Sequence, residues 1–215
     1  MSEITFEVRR CVECGLRYPL VEKQSFGTRC PACLAETKVV VSKKLNTEPT
    51  QMLMENSSIS ANRRVSVLLD NIRSTWNVGS IFRTAEGFGF AHAYLCGITP
   101  TPENDSVQKT SLGAEDSVPW SYHKDAVRLI KGLKVQGWTI YGLEDSERAT
   151  NISRITQIIP ARSENILIAG NEVTGIEPGL LDLCDDIFHI PMSGAKKSFN
   201  VAVAFGIAAY ALRAA

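Results

Sequence analysis

The chain has 215 residues, 44% of them apolar, and its 23 Lys and Arg balance 23 Asp and Glu. That length allows one good core plus a small appendage, and the neutral total excludes a generic polyanion binder, so any nucleic-acid contact must come from locally placed cations. No apolar run approaches the roughly 20 residues that span a bilayer, and the opening MSEITFEVRR lacks the apolar core of a secretory signal. A cytoplasmic protein with no membrane contact is expected.

Residues 1–41 read as a separate unit. Two CxxC pairs, Cys11/Cys14 and Cys30/Cys33, stand fifteen residues apart. Zinc takes four tetrahedral thiolates, and each CxxC turn offers two of them to one ion. Gly15 after the first pair and Pro31 inside the second suit tight turns. So short a segment cannot build a core alone, so a structural metal would supply its folding energy. Disulfides are opposed by a cytosolic setting, and a redox CxxC by the lack of a surrounding larger domain. The knuckles resemble zinc ribbons and also rubredoxin, which leaves iron as the alternative metal. Arg9, Arg10, Arg17, Lys23 and Arg29 could grip RNA or form a solvated surface; both readings stay open. Cys96 and Cys184 lie in apolar surroundings, where free thiols are usually inert.

Residues 42–64 are polar, carry Pro49, and read as a linker with one helical turn around Gln51–Glu55. From Val65 to residue 215 the pattern alternates. VSVLL (65–69) reads as a buried strand. Asn77 reads as the cap of a helix with Ile81, Phe82, Ala85 and Phe88 on one face. AHAYLCG (91–97) is a strand, 99–106 a loop, Lys124–Gln136 a helix and WTIYGL (138–143) a strand. NILIAG (165–170) is the clearest buried strand. Glu177–Cys184 reads as a short helix, DIFHIPM (186–192) as a strand, and Ser198–Ala214 as the last helix, with Ser198 as its N-cap. The fold class is therefore α/β, a parallel sheet with helices on both faces. The last helix is apolar nearly all round, so it is buried in the core or against a second copy, and a homodimer is expected.

Three stretches invite chemistry. In 70–89, Gly79 and Gly87 flank Arg83 at four-residue spacing, leaving room on one helix face; a surface Arg paired with Glu86 is the alternative. In 167–176 an apolar strand ends in Gly170–Asn171–Glu172, at the position where parallel sheets bind ligands. There Gly170 would let a ligand approach the backbone, and an ordinary turn is the alternative. In 189–212 a strand runs through a Gly-containing loop into a helix whose N-terminus carries free N–H groups. GxGxxG, GxxxxGK[ST] and GxSxG are absent, which disfavours a nucleotide dehydrogenase, a P-loop NTPase and a serine hydrolase.

In this order, Asn77–x–Gly79–x₃–Arg83–Thr–Ala85, Gly170–Asn–Glu172–x₂–Gly175 and Ile190–Pro–Met192–x–Gly194–x₃–Ser198–Phe–Asn200–Val resemble the SpoU/TrmH family of the SPOUT superfamily. Lys109–Thr–Ser–Leu–Gly113–Ala114 resembles a family loop between them, and the likeness runs from about Val65 to Tyr210. The resemblance implies a C-terminal trefoil knot, a dimer, and methylation of an RNA ribose 2′-hydroxyl with S-adenosylmethionine as cofactor, on tRNA or rRNA. It places the cofactor against Gly170, Asn171, Ile190, Met192 and Phe199. It gives Arg83 the catalytic arginine position and Asn77, Glu172, Ser198 and Asn200 the polar active-site positions. Phe199 stands where the family usually has Leu, and Val173–Thr174 replace smaller, more polar residues. Base methylation, a non-catalytic RNA-binding role and a metal-dependent regulator are the competing expectations.

Overall fold

The computed structural model describes residues 4–21, 28–45, 63–159, 163–196 and 198–213; the helical turn expected around Gln51–Glu55 lies outside them. The chain divides into two compact units, 1–57 and 58–215.

In the first unit, β1 (Ile4–Cys11) is the middle strand of an antiparallel sheet between β2 (Arg17–Val21) and β3 (Thr37–Leu45). A bulge between Val8 and Arg9 shifts the β1–β3 register. Strand β3 extends through the first residues of the expected linker. Only Cys11 and Cys30 are buried among the described residues of this unit.

The second unit opens with β4 (Arg63–Asp70), α1 (Thr75–Gly87), β5 (Ala93–Cys96), α2 (Asp105–Ser111), α3 (Ala114–Ser117) and β6 (Trp120–His123). It continues with α4 (Ala126–Val135), β7 (Thr139–Leu143), β8 (Thr150–Asn151), a 3-10 turn leading into α5 (Ile155–Ile158), and β9 (Ser163–Ala169). It ends with α6 (Pro178–Leu181), β10 (Asp186–His189) and α7 (Val201–Arg213). All seven strands are parallel, in the order β6-β5-β4-β9-β7-β10-β8.

Strand alternation sends successive side chains to opposite faces, and both faces are covered. Val67 and Leu69 of β4 and Leu167 of β9 join a core with Val78, Phe82 and Ala85 of α1 and Phe205, Ala208 and Leu212 of α7. Leu68, Ile140, Ile166 and Ile168 face the other way, under Ala126, Ile130 and Leu133 of α4 and Leu180 of α6. The expected α/β layering is what the chain adopts.

Two expected caps are corrected. Helix α1 is capped by Ser74, whose hydroxyl accepts from the Asn77 N–H at 3.3 Å; Asn77 sits inside the first turn. Helix α7 starts at Val201, and Asn200, not Ser198, caps it: Asn200 Oδ1 accepts from Ala202 N at 2.9 Å. In the single chain Phe205, Ala208, Ala209 and Leu212 of α7 are buried, and Val203 and Tyr210 are exposed.

Candidate functional site

The carboxyl ends of β7, β9 and β10 and the start of α7 surround a cavity of about 240 Å³. Apolar walls come from Leu143, Phe188, Ile190 and Met192, and polar ones from Glu144, Asn171 and Ser198. Gly170, Asn171, Ile190, Met192 and Phe199, the five positions expected at the cofactor, all line it, as do Glu172, Ser198 and Asn200.

Beside the cavity a polar junction ties three distant segments together. The Glu172 carboxylate accepts from the backbone N–H of Arg73 (2.9 Å), the N–H of Ser74 (3.1 Å) and the amide of Asn77 (2.9 Å). Asn77 Oδ1 in turn accepts from Asn200 Nδ2 at 3.0 Å. The network thus runs from the loop after β9, through α1, to the cap of α7. Partial burial opposes the charge of Glu172, but the Arg73 N–H, then the Asn77 amide and the Ser74 N–H, outweigh it and hold the carboxyl below its ordinary range.

Glu172→Ala leaves three donors without their acceptor. We expect a loss of about 1–3 kcal/mol, toward the low end because solvent reaches the site, read as a lowered midpoint in chemical denaturation. The stabilisation is fully present above the ordinary carboxylate range and is lost as the pH falls through the depressed value. The wild-type advantage over the alanine variant should therefore shrink in acid.

The loop 171–177 is fixed by Asn171 itself and by two carboxylates, Glu144 and Asp70, that sequence reading missed. Asn171 and Gly175 form an antiparallel bridge, and Asn171 Oδ1 accepts from Val173 N (2.9 Å) and Thr174 N (3.1 Å). Glu144, at the end of β7, accepts from Ile176 N at 2.9 Å. The buried Asp70, at the end of β4, accepts from Glu177 N at 3.0 Å, although burial raises its pKa. These partners hold successive N–H groups, so the loop is preorganised. Both carboxylates end strands at the edge of an apolar run, which is the only signal the sequence offered.

Two glycine readings change. A Cβ on Gly170 would collide with the Gly175 and Ile176 backbone, so this glycine admits the chain's own returning loop. A Cβ on Gly79 would collide with Thr110 of α2, so the space beside Arg83 at that end is filled by a neighbouring helix. Arg83 lies on the exposed side of α1. It does not line the cavity, and no hydrogen bond or ion pair engages its guanidinium among the described residues; the alternative pairing with Glu86 does not form. Cys96 and Cys184 are pushed up to about 12 by burial, as inert thiols are.

In the first unit the four knuckle sulfurs lie within 4.8 Å of one another, with Cys11 Sγ to Cys33 Sγ at 3.4 Å and Cys14 Sγ to Cys30 Sγ at 3.5 Å. A tetrahedron of about 2.3 Å Zn–S bonds has edges of about 3.8 Å, so the donor set fits zinc. The Cys14 N–H donates to Cys11 Sγ at 3.4 Å and helps pull that thiol down to about 6, toward the thiolate a metal needs. Each knuckle closes through a left-handed residue, Gly15 (φ 74°) and Leu34 (φ 61°).

A doubly covered parallel sheet with a cavity at its carboxyl ends is the arrangement in which open α/β domains bind ligands. The SpoU rRNA Methylase family model matches residues 64–210, and the chain belongs to that family. Among relatives, it is 30% identical over 148 residues to the 23S rRNA (guanosine-2'-O-)-methyltransferase RlmB of Xanthomonas axonopodis pv. citri, covering 69% of this chain and 57% of that protein. It therefore spans little more than half the length of that relative. It is 27% identical to the 23S rRNA (guanosine(2553)-2'-O)-methyltransferase RlmP of Bacillus subtilis, over 96% of this chain and 87% of that one. In fold it resembles the AdoMet-bound rRNA methyltransferase from Sinorhizobium meliloti, with TM-score 0.64 and 24% identity over 70% of this chain and 56% of that one. The TrmH/SpoU tRNA modifying enzyme of A. aeolicus gives TM-score 0.62 and 24% identity over 73% of this chain and 77% of that one.

Proposed function

We propose that this chain is an S-adenosylmethionine-dependent methyltransferase acting on a ribose 2′-hydroxyl of tRNA or rRNA. The observation that carries this is the Glu172–Asn77–Asn200 junction standing beside a cavity lined by all five expected cofactor residues, together with relatives named for this reaction.

The residues present fit the cofactor. Leu143, Phe188, Ile190 and Met192 offer apolar walls, and Glu144 supplies negative charge for a cation. When bound, the sulfonium supplies an electrophilic methyl group. The protein's task is to place the 2′-oxygen in line with it and to ease loss of the hydroxyl proton. Glu172 and Asn77 fix the start of α1 against the cavity loops. Ser198 and Asn200 border the open side, where they orient the ribose. A guanidinium holds its proton too firmly to serve readily as a general base. The role of Arg83 is to grip the adjacent phosphate and stabilise charge developing on the 2′-oxygen.

The knot belongs to the same proposal. In its support, β9 lies between β4 and β7, both laid down before it. A homodimer is supported by exposed Trp76 on α1 and exposed Val203 and Tyr210 on α7, two helices that pack together. Among the described residues no helix is long and apolar enough to cross a membrane; a cytoplasmic setting is part of the same proposal. Structural zinc at the four cysteines completes the assignment.

Mapping 2′-O-methyl sites in total RNA from cells with and without this chain tests the reading. At least one site should vanish with the protein. An unchanged ribose map with a lost base methylation would favour base chemistry instead.

A further inference from the structure

We propose that Arg17, Arg10 and Lys38 form a cationic row across the N-terminal sheet that grips RNA phosphates. Arg10 lies in the middle strand and pairs directly with Arg17 of β2 and Lys38 of β3. Directly opposed residues project from the same face of an antiparallel sheet, with Cβ atoms about 4.5–5.5 Å apart. All three are exposed, and among the described residues no hydrogen bond or ion pair engages any of their side chains.

Like charges placed directly opposite one another destabilise a strand pair. The sheet carries two such pairs in one row, in a chain whose total charge is zero, so the row is not a by-product of basic composition. Arg9 supplies the contrast. It alternates to the other face, pairs with Glu7 at 2.6 Å and donates to Thr37 Oγ1 at 2.9 Å; it holds the sheet together. Beyond the row, the same face continues with Val8, Pro19 and Val41 and then with Phe6, Val21 and Lys43, so three of the four cations on these rows stand together at the knuckle end. Cys11 follows Arg10 directly, which ties the row's position to the metal knuckle.

A chain of phosphates is the complementary occupant. Guanidinium forks engage phosphate oxygens bidentately, and the lysine adds a point charge. The inference rests on the proposed function only in naming RNA as the polyanion.

The test uses the full zinc-loaded chain, with R10Q, R17Q and K38Q combined, titrated with unfractionated tRNA over a range of salt. Affinity should fall roughly tenfold or more, and the slope of log K against log salt should become shallower by about 2–3. S-adenosylmethionine binding should stay unchanged, and the thermal midpoint should hold or rise because the cross-strand repulsion is gone. A control carrying K124Q, R128Q and K131Q, exposed cations of the other unit, should keep the wild-type slope. An unchanged slope in the row variant overturns the proposal, as does an equal loss in the control. A wild-type chain that binds S-adenosylmethionine but no RNA overturns the RNA reading itself.

Discussion

Arg83→Ala should lower kcat for RNA methylation by about 10²–10³ and leave S-adenosylmethionine binding at the wild-type level. The two effects separate because Arg83 stands on the exposed side of α1 and does not line the cavity. Its guanidinium has no partner among the described residues, so its removal should change stability by no more than about 0.5 kcal/mol. An arginine that contributes nothing to its own fold is free to act on a substrate. If it holds a phosphate, the alanine variant should also shift the salt slope of RNA binding by about 1. Arg83→Lys should recover only part of the rate, since an ammonium keeps the charge and loses the planar fork. Near-wild-type turnover in the alanine variant would remove Arg83 from the mechanism.

The largest expected effect on folding is removal of the metal. In the first unit only Cys11 and Cys30 are buried among the described residues, so the four-sulfur cluster stands where other domains have an apolar core. Structural zinc contributes apparent free energies of about 10–16 kcal/mol in comparable small units. Chelation, or Cys14→Ser with Cys33→Ser, should therefore unfold residues 1–45. It should leave the second unit able to bind S-adenosylmethionine, because that unit has its own cores on both sides of its sheet. Limited proteolysis with metal analysis reads both outcomes. A metal-free chain whose N-terminal sheet stays protected would contradict the assignment.

Much of this was legible in the sequence because apolar runs and motif order are local signals. NILIAG became β9, and the cysteine spacing put four sulfurs together. Short edge elements were not legible. WSYH forms β6 at the sheet edge with only moderate burial, and its residues show no apolar run. Helix α2 lies in what reads as a loop, capped by Asn104.

The caps were misplaced for one shared reason. Ser74 and Asn77, like Ser198 and Asn200, are all competent capping residues. Residue type alone does not choose between them: Ser74 caps α1 while the Asn77 amide donates to Glu172, 95 positions away, and Asn200 caps α7 while its own amide donates to Asn77. The grips of Asp70 on Glu177 N and Glu144 on Ile176 N likewise join residues 107 and 32 positions apart. Such pairings depend on strand order, which periodicity does not encode. Phe199, the departure from the family's usual Leu, lines the cavity with 40% of its surface exposed, so the wider ring borders the open side.

The most direct test of the account is the chemical position of the transferred methyl. Purified chain, S-adenosylmethionine carrying a labelled methyl group, and unfractionated tRNA or rRNA are incubated, and the RNA is hydrolysed in alkali. Alkaline cleavage needs a free 2′-hydroxyl as its nucleophile. Label is expected in alkali-resistant dinucleotides, on the ribose. Label recovered on a base in mononucleotides, or no label transferred to either RNA, would contradict the proposed function.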